Sequence, residues 1–356
     1  MKNIVICWSD ISGYMSTCWR ALSNTPEFNV HVIAFRPLQG TNAAFDPSAI
    51  MHGISHDLLD DQQRTDSIFV SNLVEKRSPD VIVICGWFHR PYVNLTKNPA
   101  FSRIKYYVGI DTPWRGDWRQ HLARYLLRPY LKRVSGLIVA GERAWQYANR
   151  LGVAKDRIFR GMYGIDFKQF QNSYTARLTQ NKEWPRRFLF MGRYENAKAI
   201  DVLVQAYQLY RKKVSQPWEL TCCGRGSDAA MMKNVDGLTD RGFIQPIDQP
   251  TLLAEHGAFL LASRYDPWPL VLVEACAAGL PIVCSESCGS AVEVVRSGYN
   301  GFRVPTESHG AFADAMVEIH RNHEHLPEWG RRSQQFAAAH DAEIWAKYWH
   351  DWILKP

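Results

Sequence analysis

Long apolar runs are missing from this sequence. No stretch approaches the roughly 18 uninterrupted apolar residues that a membrane-spanning helix needs. The first apolar run, Ile4 to Cys7, is also too short for a secretory signal and reads as an opening strand, so the expected location is the cytoplasm. Metal-binding patterns are missing too. The eight cysteines are thinly spread, with no Cys-x-x-Cys pair and no Cys/His cluster at ligand spacing. Cys7, Cys85 and Cys222 sit inside apolar runs, and Cys284 and Cys288 flank a serine-rich turn before Gly289. Buried thiols in a reducing compartment, and no bound metal, are the expectation. Internal repeats, low-complexity tracts and known nucleic-acid-binding modules are likewise absent, which sets nucleic acid aside as a partner.

Acids are scarce in one segment. Between Phe101 and Arg160 there are 13 Lys and Arg against four acids (Asp111, Asp117, Glu142 and Asp156), a local charge of +9 in a chain whose total is +7. Such asymmetry points to one face that meets an anionic partner.

What is present is the composition of an ordinary globular protein, with 46% hydrophobic and 22% charged residues. The 356 residues are too many for one core, and two α/β domains are expected. Short apolar runs rich in β-branched residues alternate with helical patterns. They predict strands at Ile4–Cys7, Val30–Phe35, Val81–Cys85, Lys105–Ile110 and Gly136–Ala140. A second series follows at Arg187–Met191, Glu219–Cys222, Gly257–Ala262, Pro281–Cys284 and Gly301–Val304. Runs this short and apolar suit parallel strands covered by helices on both faces. Gln171–Trp184 is polar and lacks periodicity, so the domains are expected at 1–170 and 185–340 with a linker at 171–184. Residues 341–356 form a last helix whose Ile344, Trp345, Tyr348, Trp349 and Trp352 make one apolar stripe. That stripe must pack on something, and the first domain or the hinge is the natural surface.

Three constellations carry chemistry. In the first, Gly192 turns the chain after a strand and projects Arg193 and Lys198 above the carboxyl edge of the sheet, where open α/β folds bind ligands. Two cations there suit a diphosphate and its departing charge; a solvated basic turn is the equal alternative. In the second, Gly224-Arg225-Gly226 makes another tight strand-to-helix turn, weak evidence by itself. The third is Ser263 to Pro281. Asp266 lies on a loop, Pro269 is placed like a first helical residue, and Glu274 follows a turn inside the helix. The amides of Leu270 and Val271 can face a diphosphate, and the two carboxylates suit sugar hydroxyls. Glu274 is flanked by Val273, Ala275 and Cys276, and an acid in so apolar a helix needs a partner.

With these residues in place, the second half resembles the retaining glycosyltransferases of family four, which have the GT-B architecture. The matching features are Gly192-Arg193 with Lys198, Gly224-Arg225-Gly226, Arg241-Gly242-Phe243-Ile244, and two acids, Asp266 and Glu274, with seven residues between. Gly161 to Phe170 resembles the stretch preceding the second domain in that family. The resemblance implies two Rossmann-like domains facing a central cleft, an acceptor-binding first domain and a donor-binding second one, with the C-terminal helix returning to the first. It implies that Arg193 and Lys198 bind the donor diphosphate, that Glu274 takes the ribose and that Asp266 takes the transferred sugar. Phe243 and Ile244 would border the base, and Gly13 would allow close approach of phosphate and acceptor. Trp268 falls within the donor loop. The nucleotide-sugar, UDP- or GDP-linked, would be a co-substrate, with no cofactor and no metal.

This chain also departs from the pattern. Asp266 stands where glutamate is usual, and Pro267-Trp268-Pro269 replaces a Gly-Phe-Gly loop, which removes backbone donors. Ala199 follows the lysine in place of the usual glycine, and Asp111 and His89 are the polar candidates where a first-domain histidine is common. The runner-up is therefore a catalytically silent GT-B subunit that binds nucleotide-sugar or a partner protein. On the acceptor side, expected to be a carbohydrate or lipid-linked carbohydrate, Trp118, Leu122, Tyr125 and Leu126 share one helical face, with Arg124 and Arg128 away from it. The larger expectation is that this helix docks on its own sheet. The sharper one is a surface that approaches an anionic membrane leaflet or a lipid-pyrophosphate acceptor.

Overall fold

The computed structural model describes residues 1–37, 46–180 and 183–355. All ten predicted strands form, each within about two residues of its predicted bounds. In the first series they are β1 (Lys2–Cys7), β2 (Phe28–Phe35), β4 (Val81–Cys85), β5 (Lys105–Ile110) and β6 (Gly136–Val139). In the second they are β8 (Arg187–Met191), β9 (Glu219–Cys223), β11 (Ala258–Leu261), β12 (Ile282–Ser285) and β13 (Gly301–Val304). Three more strands appear: β3 (His56–Leu59), β7 (Ile158–Arg160) and β10 (Leu238–Asp240).

The sheets are wholly parallel, ordered β3-β2-β1-β4-β5-β6-β7 and β10-β9-β8-β11-β12-β13. The three unpredicted strands are all sheet edges. Every residue of the central β4 and β11 is buried, whereas β10 buries none fully. An edge covered on fewer sides lacks the continuous apolar run that marks a central strand.

The chain divides into two compact units. One takes the described residues up to Ile165 together with Ala342 onward, and the other takes Asp166–Asp341. Both are doubly wound α/β units, the two-domain architecture expected. Each strand order reverses once, between β1 and β4 in the first unit and between β8 and β11 in the second. Such reversals leave a crevice above the carboxyl ends of the strands.

The predicted linker is largely structured. Phe167–Gln180 is one helix in the second unit, and only residues 181 and 182 of the stretch lie outside the described ones. Its apolar periodicity is poor because its key contact is polar. Arg177 is fully buried and donates to the carbonyls of Leu253, Ala278 and Gly279, at 2.6, 2.9 and 3.1 Å. The last two carbonyls end the helix Leu270–Ala277, a favourable place for a cation.

The C-terminal helix Ala342–Leu354 belongs to the first unit and packs on Gly13–Ser23. Trp345 and Trp349 are buried, and Trp349 Nε1 donates to Gly161 O at 2.9 Å. Ile344 and Tyr348, placed on the same stripe by periodicity, are instead partly exposed, at 38% and 48%. The Ala342 amide donates to Ile165 O at 2.9 Å, so the chain re-enters the unit beside the point where it left.

A reversal concerns the helix Trp118–Leu126. Its one buried residue is Gln120, while Trp118, Leu122, Tyr125 and Leu126 all face water. The expected docking of its apolar face on the sheet is not what forms. No helix among the described residues is long and apolar enough to cross a membrane, and all eight cysteines are buried and free.

Candidate functional site

The second unit's strand reversal brings the three sequence constellations together. The turn after β8 holds Gly192 to Lys198, the turn after β9 holds Gly224 to Gly226, and β10 leads into Gly242 and Phe243. Backbone bonds join them: Gly192 N to Cys223 O (3.0 Å), Tyr194 N to Arg225 O (2.8 Å) and Gly224 N to Gly242 O (2.9 Å). Glycine is required at 224, because a Cβ there would lie 1.9 Å from the Gly192 carbonyl oxygen. Tyr194 Oη, donating to Asp240 Oδ1 at 2.6 Å, ties the first turn to β10. The Arg225 guanidinium lies 5.8 Å from the Phe243 ring centroid, and Phe243 and Ile244 are half-buried at this rim.

Across the reversal, the loop after β11 carries Asp266. Lys198 Nζ and the Asp266 carboxylate form an ion pair with both side chains largely buried. Burial weakens water screening, so the attraction within this pair exceeds that of a surface bridge while both charges lose hydration, and removing either partner would strand the other's charge. The two loops are also stitched through backbone, since Arg264 N and Tyr265 N both donate to Ala197 O at 2.9 and 3.2 Å. On its far side Asp266 O accepts the Gly289 amide at 2.9 Å. Gly289 admits no side chain either, for its Cβ would meet Pro267 O at 1.7 Å.

Arg264 fastens this region. Its guanidinium pairs with Asp201 at 2.5 Å and with Glu307, and also donates to Asn196 O and Oδ1, both at 3.0 Å. Sequence reading passed over Arg264 because an arginine before an acid is unremarkable without knowing what lies opposite. Arg264→Ala is expected to cost about 1 kcal/mol of stability, typical for a half-covered network, and to raise the apparent Kd for donor by loosening Lys198. Equilibrium melts and a donor titration check this, and an unchanged donor affinity would show that Arg264 only braces the fold.

Glu274 sits on the helix Leu270–Ala277, between the buried Val273 and Ala275. Burial pushes its carboxyl pKa up to about 7. Pro269 proves to be the residue capping this helix rather than its first member. Leu270 and Val271 begin the helix, so their amides are among the donors that a helix start leaves without intrahelical acceptors. Trp268 is turned inward and buried against His340, ring centroids 5.8 Å apart, which anchors the loop that carries Asp266. Arg193 stands apart from the Lys198–Asp266 pair. It is well exposed and reaches Glu195 at 3.4 Å.

Ala199 takes a left-handed conformation, φ +54°, directly after Lys198. A glycine adopts that conformation without steric cost, so the alanine here carries backbone strain.

Gly13 and Asp111 belong to the first unit. Gly13 opens the helix after β1, and Asp111 follows β5. They are linked through a residue that sequence reading gave no role. Tyr163 Oη donates to Asp111 Oδ2 at 3.1 Å, and the Tyr163 ring meets Tyr14 edge-on at 5.7 Å. His89 instead packs between Phe35 and Tyr92, and burial lowers its pKa.

Comparisons with known proteins bear on the fold and on the second unit. A family model described as glycosyl transferases group 1 matches residues 185–322. Over 207 residues the chain is 29% identical to a phosphatidyl-myo-inositol mannosyltransferase of Mycobacterium leprae, covering 55% of this chain and 53% of that one. Over 232 residues it is 26% identical to the amylovoran biosynthesis glycosyltransferase AmsK of Erwinia amylovora, covering 61% and 55%. The matched region thus spans about half the length of these relatives. Among solved structures, Anabaena HepE in complex with UDP and glucose superposes with a TM-score of 0.75 at 15% identity, over 99% of each chain. TarM superposes with a TM-score of 0.77 at 11% identity, over 100% of this chain and 99% of that one. The fold is therefore that of these two-domain GT-B structures.

Proposed function

We propose that this chain is a retaining glycosyltransferase that moves a sugar from a UDP- or GDP-linked donor onto a glycan or glycolipid precursor. The observation that carries the reading is the Lys198–Asp266 ion pair, set where the second sheet reverses its strand order. The family match over residues 185–322 supports it, as do relatives named for mannosyl transfer and amylovoran biosynthesis.

The chemistry follows from charge. Breaking the bond between sugar and diphosphate leaves negative charge on the diphosphate. Arg193 and Lys198 neutralise it, assisted by the amides of Leu270 and Val271. Lys198 exchanges its carboxylate for phosphate, and the released Asp266 accepts hydrogen bonds from the sugar hydroxyls. Glu274 takes the ribose diol, and Phe243 and Ile244 border the base. A diphosphate oxygen, held on the face from which it departs, takes the proton of the incoming acceptor hydroxyl, so configuration is retained. With two cations carrying the leaving-group charge, the reaction needs no metal and no cofactor. Asp111, fixed by Tyr163, positions the acceptor together with the backbone at Gly13. The reaction is assigned to the cytoplasm.

A panel of UDP-, GDP- and ADP-sugars in thermal melts tests the reading, since a bound donor stabilises the native state by mass action. No stabilisation by any of them would sink it. One observation favours a silent nucleotide-sugar-binding subunit, namely that Lys198 already occupies Asp266. Stabilisation without transfer or hydrolysis would select that alternative.

Glu274 supplies a pH prediction. It must be ionised to accept two hydroxyl donors, and its pKa lies near 7. Donor affinity is expected to strengthen as pH rises through about 7. The stability of the unliganded chain runs the other way. A carboxyl whose folded pKa is raised from 4.5 to about 7 favours folding below 4.5 and loses that contribution as pH rises through 7. Unliganded melts should therefore weaken between those values, and Glu274→Gln should flatten both trends. A wild-type donor affinity that is level across this window would contradict the assignment.

A further inference from the structure

The helix Trp118–Leu126 is folded inside out. A turn of 3.6 residues puts Trp118, Leu122, Tyr125 and Leu126 within about 100° of one another, with Gln120 opposite. It is Gln120 that the unit buries. Its Nε2 donates to Pro113 O at 2.8 Å, and its Oε1 accepts the amides of Arg115 and Gly116 at 2.7 and 3.1 Å. Asp117 caps the helix by accepting the Gln120 amide at 2.9 Å. The helix is thus pinned by polar bonds on its inner side, while its four large apolar side chains are 69%, 44%, 68% and 68% exposed.

Exposure of that much aromatic and aliphatic surface is costly in water. The charge around it identifies what covers it. From Trp118 to Gly141 the chain holds no acid, but it carries Arg119, Arg124, Arg128, Lys132 and Arg133, all exposed. Arg119 lies over the Trp118 ring at 5.5 Å. Arg119 borders the apolar face, Arg124 lies toward the Gln120 side, and Arg128, Lys132 and Arg133 follow beyond the end of the helix. An apolar face in so cationic a surrounding matches a bilayer boundary, where aromatic rings sit at headgroup depth and cations meet phosphates.

We propose that this surface docks the protein on an anionic lipid bilayer, with Trp118, Leu122, Tyr125 and Leu126 entering the headgroup boundary. It goes beyond the donor reaction and draws on residues that the reaction does not use. Each cation near an anionic surface contributes roughly fivefold to partitioning.

The test is flotation of the full chain with phosphatidylcholine vesicles, pure or containing roughly one third phosphatidylglycerol, at low and high salt. Binding is expected on the anionic vesicles only and should weaken with salt. Arg124→Glu with Arg128→Glu should reduce it by at least about tenfold, as should Trp118→Ser with Tyr125→Ser. These side chains are exposed, so the melting temperature of each variant should match wild type. Equal binding to both vesicle types, or no loss in the Trp118/Tyr125 variant, would overturn the proposal. So would a dimer in light scattering that this variant abolishes, since a second copy would then be the occupant. UDP-sugar melts on the same samples read the donor site separately, so failure of one reading leaves the other standing.

Discussion

Lys198→Ala is expected to lower kcat by about 10²- to 10³-fold, the loss typical when one preorganised electrostatic group is removed from a site of developing charge. The reason is geometric. Lys198 is largely buried and held by the Asp266 carboxylate, so its charge is already in place before the diphosphate begins to leave. The single variant strands a buried carboxylate, which itself costs stability. The double variant Lys198→Met with Asp266→Asn removes both charges and is expected to fold. Turnover of a donor hydrolysed or transferred by wild type, measured in both variants beside their melts, separates chemistry from folding. Turnover within a few-fold of wild type in the folded double variant would remove Lys198 and Asp266 from the catalytic machinery.

The second large effect is on stability. Arg177→Ala is expected to cost about 3 kcal/mol, because three charge-assisted hydrogen bonds are lost and their carbonyls are left buried. Arg177 also stacks on Trp184 at 4.8 Å, so apolar packing goes with the charge. Two of the accepting carbonyls end the helix that carries Glu274, and donor affinity should therefore fall together with stability. Denaturant midpoints and donor titrations measure the two. A loss under about 1 kcal/mol would mean that neighbouring groups can satisfy those carbonyls.

Arg177 also shows why part of the fold escaped sequence reading. Its helix was read as linker because periodicity detects apolar faces, whereas this helix is secured by a guanidinium reaching backbone oxygens far along the chain. Edge strands escaped for a related reason. β10 pairs on one side only and leaves two of its three residues exposed, so it carries no apolar run. The helix Trp118–Leu126 marks the opposite failure: the periodicity was correct, but which face turned inward depended on Gln120 finding partners at Pro113, Arg115 and Gly116.

At the candidate site the residue types were legible and their contacts were not. Gly192, Lys198, Gly224 and Asp266 stand out in the turns that follow apolar strands, and Glu274 as an acid within an apolar helix. That Lys198 meets Asp266 rather than Arg193, that Arg264 spans Asn196, Asp201 and Glu307, and that Tyr163 holds Asp111 all involve residues distant in sequence.

The sequence by itself determined the central strands, the parallel α/β class and the turns that bear glycine, cations and acids. These follow from short-range causes: continuous apolar burial, chain reversal, and the cost of placing a charge among apolar neighbours. Tertiary structure alone decided the sheet edges, the pairing of charges across the strand reversal and the outward face of the Trp118–Leu126 helix. Each of these is a choice between partners that local sequence leaves equally available, and only the positions of distant backbone and side chains select among them.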